Sequence, residues 1–166
     1  MRVFQSTLLS ILFTLTLNNA YATAPLLINF TKLVTAVDSA DDVKAIINFN
    51  NCLVINEKNQ DIRTQIIKRF DGATTRFNFT EYLHAQEQLS GALQDTVTTS
   101  IKTSIESSSG TFLTVFGQLK VFDDNTATIH IDFVDPVSQK KQLSVDWSCN
   151  ISNGHDNNGL LLYDFP

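Results

Sequence analysis

From residue 97 to residue 149, apolar side chains recur at every second position over run after run. Val97, Thr99, Ile101, Thr103 and Ile105 alternate with Thr98, Ser100, Lys102, Ser104 and Glu106. Leu113, Val115, Leu119 and Val121 share one face of the next run, followed by Ala127, Ile129, Ile131 and Phe133, then Leu143, Val145, Trp147 and Cys149. Successive side chains of a strand point to opposite faces, so this period predicts strands with one buried face. A helix repeats about every 3.6 residues and could not bury the same set. The runs are separated by turn-forming groups: Ser107-Ser108-Ser109-Gly110, Asp123-Asp124-Asn125 and Asp135-Pro136. Strands joined by short turns pair antiparallel with their sequence neighbours. The expected fold class is therefore α+β and mainly β. It is an antiparallel β-meander, forming a strongly curved sheet or a small barrel, with an N-terminal helix packed on it.

The upstream half carries shorter signals. With Asn29 or Thr31 as the cap, Phe30, Leu33, Val34 and Val37 repeat at helical spacing, and Asp38 to Asp42 end the helix. Val43, Ala45, Ile47 and Phe49 then alternate with polar residues, predicting a first strand that leads to Cys52. Asp71-Gly72 reads as a two-residue hairpin turn between residues 62–70 and 73–83. Residues 80–94 mix good helix formers with an alternating stretch and fit either element. A polar loop, Asn153 to Gly159, precedes a last apolar run, Leu160 to Phe165.

The N-terminus has the three parts of an export signal. Arg2 is the only charge in the first 31 residues, Leu8 to Leu17 form an apolar stretch, and Ala20-Tyr21-Ala22 presents small residues for cleavage. Residues 1–22 are accordingly expected to be a signal peptide and residues 23–166 a single domain. The alternative is an uncleaved anchor, but the stretch is short against the ~20 apolar residues that span a bilayer. No later segment is apolar for long enough, so no integral membrane segment is expected after cleavage. Losing Arg2 changes 12 basic against 17 acidic residues to 11 against 17, a net charge of −6. Nucleic acid is excluded as a partner, because its binding rests on neutralising phosphates. Export also bears on Cys52 and Cys149, since an even pair in an oxidising compartment is expected to form a disulfide. Two free buried thiols are the alternative.

The stretch Val43-Lys44-Ala45-Ile46-Ile47-Asn48-Phe49-Asn50-Asn51-Cys52 resembles the V-x-x-x-I-x-[YF]-x-x-C segment of the VirK family, small exported bacterial proteins associated with virulence loci. From Gly110 to Pro136, an aromatic-rich strand, an acidic turn, a β-branched strand and Phe133-Val134-Asp135-Pro136 resemble the same family's later half. The chain departs from the family at Asp41-Asp42, where a glycine is expected, and in 99–105, which lacks a histidine. The resemblance implies an exported, bacterial, β-rich protein located in the periplasm or outside the cell. It implies no reaction.

Candidate chemistry is sparse. Glu81-x-x-His84-x-x-Glu87 would place pairs of ligands on one helix face, but no third ligand is indicated, and a solvated polar face explains the same residues. His130 and Asp132, two apart on a strand, share a face, as a carboxylate orienting an imidazole requires. His155 lies among the carboxylate and amide oxygens of Asn153 to Gly159, a conceivable calcium loop or an ordinary turn. No G-x-S-x-G, S-x-x-K or glycine-rich phosphate loop occurs. We therefore assign no catalytic residue, metal ligand or cofactor. Phe112, Phe116 and Phe122 lie on the face opposite Leu113, Val115, Leu119 and Val121 and are candidate ligand-binding residues. The leading expectation is a non-catalytic binding protein whose partner is a protein or a small apolar ligand. The alternative is a small secreted enzyme with a site assembled from distant residues.

Overall fold

The computed structural model describes residues 24–89, 91–106 and 110–165. The expected signal peptide and the serines of the 107–110 turn lie outside the described residues. Asn29 caps helix α1 (Phe30–Asp38) by accepting a hydrogen bond from the Lys32 amide, and Phe30, Leu33, Ala36 and Val37 form its buried stripe. Strand β1 (Asp42–Asn48) follows, then a 3-10 turn over Phe49–Asn51, β2 (Leu53–Ile55) and helix α2 (Gln60–Arg69). The rest is strand: β3 (Thr74–Asn78), β4 (Tyr82–Leu89), β5 (Ala92–Glu106), β6 (Phe112–Phe122), β7 (Thr126–Val134), β8 (Lys141–Asn150) and β9 (Leu160–Phe165).

The meander is present: β4 to β8 are consecutive antiparallel neighbours, and β2 adds to the far side of β8. The strongly curved sheet or small barrel is overturned. The six strands run β2-β8-β7-β6-β5-β4 with two separate edges, and a second open sheet of order β3-β1-β9 holds the remainder. Closure would require β2 to hydrogen-bond β4, whereas β2 has only three residues and pairs with β8 alone. The inner face is instead covered by layering. Phe77 and Ile47 of the small sheet, Leu119 and Ile129 of the large one, and Leu33 of α1 are all fully buried in one core.

A second correction concerns Asp71-Gly72, which ends a helix rather than turning a hairpin. Ile62, Ile66 and Phe70 are four apart, and Asn59 caps α2 by accepting from the Asp61 and Ile62 amides. Asp61 in the first turn and Lys68 and Arg69 in the last complement the helix dipole. Gly72 takes the left-handed φ of 71° that releases the chain toward β3, which pairs with β1. The ambiguous 80–94 stretch is strand, forming β4 and the start of β5.

Cys52 and Cys149 are bonded, tying the end of the 3-10 turn to β8. Gly159, just before β9, packs against that bridge. A Cβ there would overlap Cys52 Sγ and lie 2.9 Å from the Asn48 carbonyl oxygen and 3.0 Å from that of Asn51. Backbone cannot yield as a side chain can, so Gly159→Ala is expected to destabilise the fold by about 2–3 kcal/mol, measured by urea unfolding. Gly72→Ala, where no atom lies within 4 Å of the added Cβ, should cost only about 1 kcal/mol from its φ.

Candidate binding surface

The outer face of the six-stranded sheet is where the expected site residues meet solvent. Antiparallel register stacks Asp146, His130, Gln118 and Ser100 in one row across β8, β7, β6 and β5. The next row is Ser144, Asp132, Phe116 and Lys102. The three candidate phenylalanines are separated. Phe112 (60 % exposed) and Phe116 (40 %) stand on this face, whereas Phe122 (6 %) is buried beside its register partner Thr96. Lys102 places its ammonium 5.2 Å from the Phe116 ring centroid. A shallow depression of about 350 Å³ is bordered by Phe116, Lys102, Ser100, Gln118, Glu81 and His130. An aromatic ring thus stands among hydrogen-bonding groups of both polarities.

His130 is held more firmly than its pairing with Asp132 alone predicts. Its Nδ1 lies 2.7 Å from Asp146 Oδ1, and its Nε2 lies 3.1 Å from Asp132 Oδ1. The hydrogen bond to Asp146 leads in raising its pKa above the ordinary histidine value; partial burial opposes this, and Asp132 adds to it. Desolvation works against ionising Asp132, but hydrogen bonds from Lys141, Ser144 and His130 outweigh it and hold that carboxyl below the usual range. The Lys141 ammonium sits 2.7 Å from Asp132 Oδ2. The result is an imidazole held between two carboxylates, clamping β7 to β8 through Asp146 and the Lys141–Asp132 pair. A histidine pKa raised by folding stabilises fully below the unfolded value of ~6.5, and this contribution fades as pH rises through the raised value. Wild-type protein should therefore lose melting temperature relative to His130→Gln between pH 6 and pH 8. The shift should not exceed about 3 °C, because part-exposed pairs contribute under ~1 kcal/mol. Thermal melts across that range measure it.

Asp146 was missed in the sequence, although a signal for it existed. Folding β7 onto β8 about the Asp135 turn sets His130 opposite Asp146. The Glu81, His84 and Glu87 set is dispersed, because strand geometry sends residues three apart to opposite faces. His84 faces α1 and β5, with Nε2 3.0 Å from Asp95 and Nδ1 3.6 Å from Asp38, while Glu87 pairs with Lys120 at 2.6 Å. Among the described residues no group of three such side chains is placed to hold a metal ion. The His155 loop is held by hydrogen bonds within itself. Asp156 accepts from the Ser152 hydroxyl and from the amides of Asn153 and Asn158, which fold the loop around its carboxylate and lower its pKa.

No protein-family model matches the chain, and no curated protein matches it. Among solved structures, it is similar to the crystal structure of lpg1832, a VirK family protein from Legionella pneumophila. The TM-score is 0.58 at 15 % sequence identity, over 84 % of this chain and 99 % of that one. The two share a fold. With nearly all of the Legionella protein covered, the correspondence extends over both sheets rather than a single hairpin. No helix among the described residues is long and apolar enough to cross a membrane.

Proposed function

We propose that this chain is an exported bacterial protein of the VirK kind, virulence-associated, that acts by binding a partner protein rather than by catalysis. Export is supported by the pattern of residues 1–22 and by the Cys52–Cys149 bridge, since disulfides persist in oxidising compartments. The fold shared with the Legionella VirK family protein supports the kinship.

One observation carries the binding reading: both ring nitrogens of His130 face carboxylates, beside an exposed Phe116. A general base must offer a free nitrogen to the proton it takes. This imidazole spends Nδ1 on a hydrogen bond to Asp146 and has Asp132 Oδ1 3.1 Å from Nε2, which disfavours the rival reading of a small secreted enzyme using His130 with Asp132. An exposed ring in a polar frame suits an interface, where aromatic anchors dominate affinity. Intact mass of protein recovered from a bacterial periplasm should show cleavage after Ala22 and a mass two hydrogen atoms lower than the reduced form. Phe116→Ala, at a 40 % exposed site, should change stability by less than about 1 kcal/mol. The same variant should release the proteins that co-purify with wild type from its native host, as read by mass spectrometry. Capture unchanged by Phe116→Ala would remove this surface from the proposal.

A further inference from the structure

A second site lies across the molecule from that surface, beneath α2. Phe49, Phe70 and Trp147 pack on one another as a three-ring cluster, with centroids 4.6 Å apart for Phe49–Trp147, 4.9 Å for Phe70–Trp147 and 5.6 Å for Phe49–Phe70. Beside them is a cavity of about 310 Å³, completed by Val54, Ile67 and the Cys52 sulfur. An apolar cavity of about 150 Å³ already holds a benzene-sized molecule. This one has room for a ring and a short chain. Its covering helix is lightly anchored: Ile66 is the one buried residue of α2, and Ile67, at the cavity wall, is 55 % exposed.

Among the lining residues the single charge is Asp71. Its Oδ1 accepts from the Asn50 amide at 2.9 Å, and Asn50 in turn accepts from the Gly72 N–H at 3.0 Å, so the carboxylate is fixed at the rim. No lining cation neutralises it. We infer that this cavity binds a small molecule with an aromatic ring and a cationic amine, the ring lying against Ile67 and Phe70 at the edge of the three-ring cluster and the ammonium at Asp71. Apolar pockets with one well-placed polar group are the usual form of small-ligand sites. A carboxylate at the rim selects for the cation by charge complementarity and against an anion.

Trp147 is the only tryptophan in the chain and lines the cavity, so its emission reports on it. Disulfide-intact protein is titrated with phenethylamine, phenethyl alcohol and phenylacetate while Trp147 emission is followed. Phenethylamine should give a saturable change and bind about fivefold tighter than phenylacetate, the ratio that ~1 kcal/mol of charge recognition supplies. Asp71→Asn keeps an acceptor for Asn50 and should bring that ratio near one. Ile67→Phe fills the cavity mouth from an exposed position and should abolish the response with the melting temperature kept within about 3 °C. Three results overturn the inference: no saturable change with any probe, a response indifferent to Ile67→Phe, or phenylacetate binding as tightly as phenethylamine. Self-association that Ile67→Phe abolishes, with no response to the probes, overturns it in favour of a second copy of the chain.

Discussion

Breaking the Cys52–Cys149 bridge is expected to lower the stability of this protein by about 4–5 kcal/mol. The bonded residues are 97 apart in sequence, so the bridge removes a large loop-closure entropy from the unfolded chain. The joined parts also matter. Cys52 stands directly before β2 and Cys149 lies in β8, next along the ladder from the Leu53–Ser148 pair, so the bond pins the short edge strand, and the turn leading into it from β1, to the large sheet. Urea unfolding with and without reductant, and of the Cys52→Ala/Cys149→Ala double variant, measures the loss. The midpoint should fall and the m-value should rise, because an uncrosslinked unfolded chain exposes more surface. A loss below about 1 kcal/mol would show that the reduced chain already holds β2 and β8 in register.

Trp147→Ala should be the most damaging single truncation, costing about 3–5 kcal/mol. The indole is 1 % exposed and packs on Phe49 and Phe70, with Phe133 6.0 Å beyond Phe70. Ring pairs at such separations add to the area term, and the surrounding strands are too regular to collapse into the space left. Equilibrium urea unfolding gives the number directly. Trp147→Phe keeps a ring in the cluster and should cost roughly half as much. Ile67→Phe and Phe116→Ala, both at exposed positions, should lie near wild type in the same assay. The contrast separates Trp147, whose burial holds the fold, from the exposed Ile67 and Phe116 at the two proposed binding surfaces.

Much of this architecture was legible before any coordinates. The four alternating runs between 97 and 149 became β5 to β8, paired with their neighbours as short turns require. The helix at Phe30–Asp38 and the pairing of the two cysteines were equally readable. Each rests on local pattern: a period, a cap, a turn or an even cysteine count. The site was half legible. Alternation placed Phe116, His130 and Asp132 on the outer face, yet it could not distinguish exposed Phe116 from buried Phe122 on the same side of one strand. Helix α2 was misread because the Asp71-Gly72 signal outweighed the four-residue spacing of Ile62, Ile66 and Phe70.

By itself, then, the sequence determined where the four strands between 97 and 149 are and which face of each points to the core, since those properties repeat every two residues along the chain. Tertiary structure alone decided that β1 leaves the meander to sit between β3 and β9, leaving two open sheets instead of a curved or closed one. It also decided that Asp146 completes the clamp on His130, and that Phe49, Phe70 and Trp147 converge beneath α2. These residues are distant in sequence and meet only because layers pack. A period fixes the direction in which a side chain points, whereas its neighbours across the core depend on how the layers minimise exposed apolar surface together.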